Sequence, residues 1–296
     1  MTFGGHELFK TLEQKFGDVV VLEYVLPSVV FYSAVADYIN SISNYKDTKV
    51  KLLDVGSSYG YGVYILSELC KNCDIVGVDI NRSALSVAEK RLKSSRRNID
   101  FKAVNILDTN EVSQIISEYG KFDVITCFEV FEHIPRDKSE ILLRNLNMLL
   151  SNNGYLFIST PNKLVYDSFA FTKDHINEVT VNEFVSALEK YFEIVKVYGS
   201  GLHSRLMIYL FWKFGLIARM DSTKVSLTWH KKILRKILRG IFEPRELYLS
   251  ILKKMRHKEY LLRKLSIYSL NSMPEKSALV FVITKKKMVD SNPATP

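Results

Sequence analysis

From residue 49 onward the apolar positions fall into two alternating patterns. Short runs rich in β-branched and aromatic residues occupy 49–55, 74–79, 99–104, 122–127, 154–160, 192–198 and 278–284, and they predict seven strands. Segments 61–71, 82–94, 110–119, 138–150 and 181–190 carry apolar residues at helical spacing and predict helices between the strands. Thr180 followed three residues later by Glu183 is a capping-box signature for the last of these helices. The strand runs are almost continuously apolar, as expected of a sheet covered on both faces. Alternating strands and helices predict an α/β fold with a doubly wound, mostly parallel sheet. Residues 1–48 read as a helical cover ahead of the first strand, and 288–296 as a disordered tail.

Composition adds bounds. The chain has 296 residues, with 47% hydrophobic and 25% charged residues, ordinary for a globular protein. The start, MTFGGHELFK, lacks an apolar stretch behind a basic one, so no signal peptide is expected. Cys70, Cys73 and Cys127 are too few for a four-ligand zinc site, and core filling is the simpler reading of the Cys70–Cys73 pair. Three free thiols and no leader together predict a cytoplasmic protein.

Charge is uneven. Residues 201–273 hold 16 Lys and Arg against 4 Asp and Glu, a net +12; the other residues hold 25 against 28, a net −3. This stretch falls between the sixth and seventh strands, where a short hairpin would suffice, so 201–275 reads as a basic amphipathic helical insertion. The core is then 49–200 plus 276–287. In KKILRKILRGIF, Ile233, Leu234, Ile237, Leu238, Ile241 and Phe242 share one face, and Lys231, Lys232, Arg235, Lys236 and Arg239 the other. Segment 206–218 is apolar but short of the ~20 residues that span a bilayer. Three readings stay open for 206–265. One is a cap packed on the core. Another is contact with a membrane surface, which would make the protein peripheral on the inner membrane face. The third is a grip on nucleic acid, although no recognised RNA-binding module is present.

The candidate chemistry begins at LLDVGSSYGYG (52–62). Here a strand ends on Asp54 and runs into a turn with Gly56, Gly60 and Gly62. In open α/β sheets ligands sit at such carboxyl ends. Asp79 ends the second strand, where a carboxylate can take both ribose hydroxyls, and Asn105 follows the third, where an amide can pair with adenine. Glycine spacing does not match the dinucleotide fingerprint G-x-G-x-x-G. Asp54 beside the turn disfavours a pyrophosphate and suits a ligand bearing an amino group. Adenosine plus amine points to S-adenosylmethionine.

The segments LLDVGSSYGYG, IVGVDIN, FKAVNILD, FDVITCFEVFEHIP and LSNNGYLFISTPN, in that order, resemble the class I S-adenosylmethionine-dependent methyltransferases. The resemblance implies a Rossmann-like seven-stranded sheet of order 3-2-1-4-5-7-6 with strand 7 antiparallel. It implies a methyl-donor site made of Asp54, Gly56, Ser58, Gly60, Asp79, Ile80, Asn105, Ile106 and Phe128. Ser58 stands where that family usually has glycine, and Asn105 where it usually has aspartate.

Methyl transfer is an in-line displacement in which positioning contributes much of the rate, and a hydroxyl acceptor also needs a base. Glu129, Glu132 and His133 have i, i+3, i+4 spacing that would place them on one helical face. They could serve as base and orienter, or bind a divalent cation such as Mg; by resemblance, E-x-x-E-H here is seen in methyltransferases of ubiquinone biosynthesis. His175, in DHINEV after the fifth strand, is a second catalytic candidate and resembles glycan-modifying members. Asn162 lies close to the same edge. The expected activity is O-methylation of a small-molecule, sugar or lipid-linked acceptor. The alternatives are an RNA methyltransferase that uses the basic insertion, and a non-catalytic S-adenosylmethionine-binding protein.

Overall fold

A computed structural model describes residues 26–42, 45, 48–70, 72–92, 98–166, 175–200, 270, 272, 274–277 and 279–287. The element order is α1 (Leu26–Ser41), β1 (Val50–Val55), α2 (Tyr61–Leu69), β2 (Cys73–Asp79), α3 (Arg82–Leu92), β3 (Ile99–Ala103), α4 (Thr109–Tyr119), β4 (Phe122–Phe128), α5 (Ser139–Leu149), β5 (Leu150–Pro161), α6 (Lys163–Tyr166), α7 (Val181–Glu189), β6 (Phe192–Ser200) and β7 (Leu279–Lys286). Short 3₁₀ turns stand at Phe131–His133, Arg136–Lys138 and Pro274–Lys276.

The seven strands form one sheet in the order β3-β2-β1-β4-β5-β7-β6. β1 to β5 pair in parallel, and β7 runs antiparallel to both β5 and β6. The expected order and direction are both present. Successive strand residues point to opposite faces, and both faces are covered. Leu52, Ile75, Val124 and Phe157 enter the core under α1, α2 and α3, while Leu53, Val76, Ile125 and Leu156 enter the core under α4, α5 and α7. Two-sided burial is why these strands read as unbroken apolar runs.

Local signals behave as their chemistry requires. Thr180 Oγ1 accepts from the Glu183 N–H at 3.2 Å and Glu183 Oε2 accepts from the Thr180 N–H at 2.9 Å, so the capping box is formed. Asp108 caps α4 by accepting from the Asn110 N–H at 2.8 Å. β5 starts earlier than expected, because Leu150 pairs with Phe122 across an irregular register before the regular ladder begins at Tyr155. The polar Ser151–Asn153 stretch belongs to this irregular start. Cys70 and Cys73 are buried in the core between α2 and β2.

No described helix is long and apolar enough to cross a membrane. Residues 1–25 of the expected cover, the expected tail 288–296 and the expected basic helices of 206–265 lie outside the described residues, so the lipid, solvent and nucleic-acid readings of that segment lie outside them too.

Candidate active site

β1 and β4 lie side by side, with Val55 paired to Cys127, so the turns that follow them emerge together at the carboxyl edge of the sheet. The first turn is fixed to β2: the N–H groups of Gly56 and Ser57 both donate to the Val78 carbonyl, at 2.9 and 3.0 Å. Gly56 and Gly60 have φ of +76° and +80°, where a side chain is strained. The two turns also touch. A Cβ on Gly56 would lie 2.5 Å from Val130 Cγ2 in the second turn. Ser58 (φ +47°) and Glu129 (φ +53°), one in each turn, are the non-glycine residues of positive φ among the described residues. Such backbone strain persists where surrounding structure over-determines it, often at ligand sites.

Asp54 is wholly buried beneath the glycine turn. Its Oδ1 accepts hydrogen bonds from Thr126 Oγ1 at 2.6 Å and from the Tyr32 hydroxyl at 2.9 Å. Its Oδ2 is buried and has no hydrogen-bond partner. Burial pushes the Asp54 carboxyl up to about 7, against the lowering effect of the two hydroxyl donors. An unpaired oxygen on such a group is costly unless a donor or cation meets it. An ammonium group does both, so the residues present fit the amino end of an amino-acid ligand.

The other expected donor-site residues gather around this turn with different tasks. Asp79 accepts from the Ser58 N–H at 2.8 Å on Oδ2 and from the Asn81 N–H at 2.8 Å on Oδ1, so it braces the turn and keeps lone pairs for a hydroxyl. Ile80 beside it is 71% exposed. Asn105 Oδ1 accepts from the Leu107 N–H at 3.1 Å, and the Asn105 N–H donates to Glu111 Oε2 at 2.8 Å. The amide oxygen expected to face an adenine is therefore already used in closing a local turn, with a second lone pair left. Ile106 is buried, and Phe128 sits inside an aromatic cluster with Phe31, Tyr32 and Phe281.

The second turn departs from the expected geometry. Glu129, Glu132 and His133 do not share a helical face. β4 runs through Phe128, the chain reverses at Glu129 in a left-handed conformation, and the helical turn starts only at Phe131. Glu129 is turned to Ser159 instead, whose hydroxyl donates to Glu129 Oε1 at 2.6 Å. Burial raises this carboxyl to about 7, with the serine bond opposing. Glu132 is wholly buried. Its Oε2 accepts from Thr160 Oγ1 at 3.2 Å, and its Oε1 is unpartnered, 4.0 Å from His133 Nε2. Burial, then the neighbouring Glu129 charge, holds the Glu132 carboxyl well above its ordinary value.

His175 comes from far along the chain to the same place. The N–H groups of Ile176 and Asn177 donate to the Glu132 carbonyl at 2.9 and 3.0 Å. The buried Asn177 amide donates to Ser139 Oγ at 2.9 Å and to the Phe131 carbonyl at 3.4 Å. This loop sets the His175 ring edge-on to His133 with centroids 5.0 Å apart, and His175 Nδ1 lies 3.4 Å from Glu178 Oε1. Glu132, His133 and His175 can each offer one ligand atom, all within 4.8 Å of one another. His175 thus takes the place in the cluster that spacing had given to Glu129.

Asn162 does not serve this edge. Its buried Nδ2 donates to the carbonyls of Ser277, Pro274 and Glu275 at 3.1 to 3.2 Å, and its Oδ1 accepts from the Leu164 N–H at 3.2 Å. Its amide ties the end of β5 to the chain entering β7. Residues with no individual sequence signal complete the site: Tyr32, Thr126, Ser159, Thr160 and Asn177. Asn177 and Glu178 stand in the His-x-Asn-Glu run, which marked the loop but not their contacts.

A family model described as a methyltransferase domain matches residues 46–209. A ubiquinone biosynthesis O-methyltransferase of Glaesserella parasuis is 36% identical over 128 residues, 43% of this chain and 51% of that protein. An uncharacterized protein of Rickettsia prowazekii is 32% identical over 110 residues, 37% of this chain and 42% of that protein. The chain thus spans about half the length of these relatives. A crystal structure of an S-adenosylmethionine-dependent methyltransferase from Archaeoglobus fulgidus superposes with a TM-score of 0.50 at 17% identity, covering 94% of this chain and 99% of that one, a likeness of fold.

Proposed function

The chain belongs to the methyltransferase-domain family, and on that premise we propose that it moves a methyl group from S-adenosylmethionine to a hydroxyl oxygen of a small-molecule acceptor. The observation that carries this reading is the buried, unpartnered Oδ2 of Asp54 beneath the glycine turn. It is a receptor for a ligand ammonium at the edge where α/β sheets bind ligands. In this reading Asp54, Gly56, Ser58 and Gly60 hold the amino-acid end. Asp79 takes the ribose hydroxyls, while Ile80, Asn105 and Ile106 bound the adenine. Phe128 backs the site from the aromatic core. The bound donor supplies an electrophilic methyl on a positively charged sulfur.

The second turn supplies the acceptor chemistry. His133, whose side chain is 45% exposed, takes the hydroxyl proton on Nε2 as the oxygen attacks. Glu132, wholly buried, becomes easier to ionise as positive charge appears on the imidazole. His175 orients the His133 ring from its edge, while Glu129 is held by Ser159 of β5. The Glaesserella parasuis relative's name, a ubiquinone biosynthesis O-methyltransferase, favours an oxygen acceptor, and we place a phenolic hydroxyl first among the candidates.

The cluster also supports a cation-assisted form of the same reaction. The unpartnered Glu132 Oε1 and two nearby imidazoles are a fitting donor set, and Glu132, His133 and His175 would hold the ion. A bound cation would polarise the acceptor hydroxyl. One carboxylate and two imidazoles suit an imidazole-binding metal such as Zn or Fe better than Mg, which prefers oxygen ligands.

The test is transfer of labelled methyl from S-adenosylmethionine to a panel of phenolic, sugar and lipid-linked hydroxyl acceptors, with and without a chelator. Label on a phenolic oxygen is the expected result. Donor binding without transfer to any hydroxyl overturns the O-methylation reading; failure to bind the donor overturns the whole of it.

A further inference from the structure

Helix α1 lies ahead of the segment matched by the family model, which begins at residue 46. It is nevertheless docked onto the site. Phe31, Tyr32, Val35, Ala36 and Ile39 are buried against α2 and the sheet. Phe31 packs on Phe281 and Phe128 at centroid distances of 5.0 and 5.4 Å. Tyr32 meets the Phe128 ring edge-on at 4.9 Å and delivers its hydroxyl to Asp54 Oδ1.

The third glycine of the turn explains how Tyr32 gets there. A Cβ on Gly62 would lie 2.0 Å from Tyr32 Cζ and 2.1 Å from its hydroxyl oxygen. Gly62 is helical and has no positive φ, so its lack of a side chain serves the close approach of this tyrosine. With Thr126 and Tyr32 both on Oδ1, the remaining oxygen of a wholly buried carboxylate is the one left for a ligand.

We propose that Tyr32 is a positioning residue of the methyl-donor site: by occupying Asp54 Oδ1 it leaves Oδ2 for the donor's ammonium, and it thereby couples docking of α1 to retention of the donor. This rests on the reading that Asp54 receives that ammonium. The tyrosine stays a donor throughout the working range, because burial and then the Asp54 charge hold its own proton well above the ordinary phenol value. The charged or titratable groups that face Asp54 are Tyr32 from α1, Asp79 from β2 and Cys127 from β4, with the Thr126 hydroxyl also from β4. Of these, Tyr32 and Thr126 favour the ionised carboxylate and Asp79 opposes it.

The test compares Tyr32→Phe with the unaltered chain in equilibrium binding of S-adenosylhomocysteine, which has the amino-acid end, and methylthioadenosine, which lacks it. Tyr32→Phe is expected to weaken S-adenosylhomocysteine about tenfold, the size of one hydrogen bond to a charged group, and to leave methylthioadenosine unchanged. Loss of the tyrosine donor also moves the pH midpoint of S-adenosylhomocysteine binding upward from its starting value near 7. Gly62→Ala displaces the same ring without altering its chemistry and is expected to show the same ligand selectivity, which serves if Tyr32→Phe does not fold. Equal losses for both ligands, or no loss and no shift of midpoint, overturn the proposal while leaving the donor site standing. If the unaltered chain binds neither ligand, the donor-site reading fails, and this proposal with it.

Discussion

Asp54 and Glu132 are both wholly buried acids with one oxygen bonded and the other unpartnered, yet their surroundings differ. Asp54 is gripped by two hydroxyls, one from α1 and one from β4, and its open oxygen has no basic side chain described beside it. Glu132 has one weaker bond, from Thr160, and two histidines within reach. An acid held by hydroxyl donors with no internal cation can take its positive charge from a ligand. An acid with imidazoles beside it can share a proton or a metal with them. The contrast favours the proposed division, in which the first turn holds the donor and the second does the chemistry.

The largest effect should come from His133→Ala in the second turn, which removes the proposed base. Turnover is expected to fall by roughly 10²–10⁴, the range of general acid–base contributions, with donor affinity within about twofold of the original. Comparable loss in both quantities would erase the contrast. Asp54→Asn should do the reverse. It removes a charge-assisted bond, and donor affinity measured by calorimetry should drop by roughly 10- to 100-fold.

A pH series sharpens the same pair. Donor affinity should fall as pH drops through about 7, where Asp54 takes up a proton, and should fall again at alkaline pH, where the ligand's ammonium loses its own. In Asp54→Asn the acid-side dependence should vanish, although Glu129 titrates in the same region. Stability should respond with the opposite sign. Asp54 and Glu129 have folded-state carboxyls raised above the ordinary range, to about 7. Their contribution to stability is therefore complete below about pH 4 and is lost as pH rises through 7. Asp54→Asn should melt higher than the unaltered chain at pH 8, by about 2–4 °C for each kcal/mol recovered, and show little gain at pH 4. The smallest effect should come from Asn105→Ala: a change in donor affinity of about threefold or less, because the Asn105 oxygen is largely occupied in its own turn.

How much of this could be read from the sequence follows from which contacts are local. Strand positions were legible because two-sided burial leaves unbroken apolar runs, and the glycine turn because its residues are consecutive. Helix α7 was legible from Thr180 and Glu183 for the same reason. His133 and His175 were each visible as candidates, but their pairing depends on the Glu132 carbonyl and Asn177 anchoring a distant loop. Glu129 was misplaced because i, i+3, i+4 spacing means a shared face only within continuous helix, and the chain here is still leaving a strand. Tyr32 reads as one more apolar position of α1. Thr126, Ser159 and Thr160 read as ordinary strand residues. Nothing adjacent to any of them announces an acid across the sheet edge.

Ser200 and Leu279 are register partners where β6 and β7 meet. The chain leaves the sheet and returns to it at one level, and the Asn162 amide fastens the returning strand. In architectural terms this is a socket: the two strands hold each other in register where the chain departs, and Pro274–Ser277 lock the returning end to Asn162. Joining Ser200 to Leu270 by a short linker, which keeps the carbonyls that hold the Asn162 amide, should leave the sheet, the glycine turn and the histidine pair assembled. Whatever selectivity the intervening segment confers would then be separable from the chemistry, and could change in evolution at its own pace.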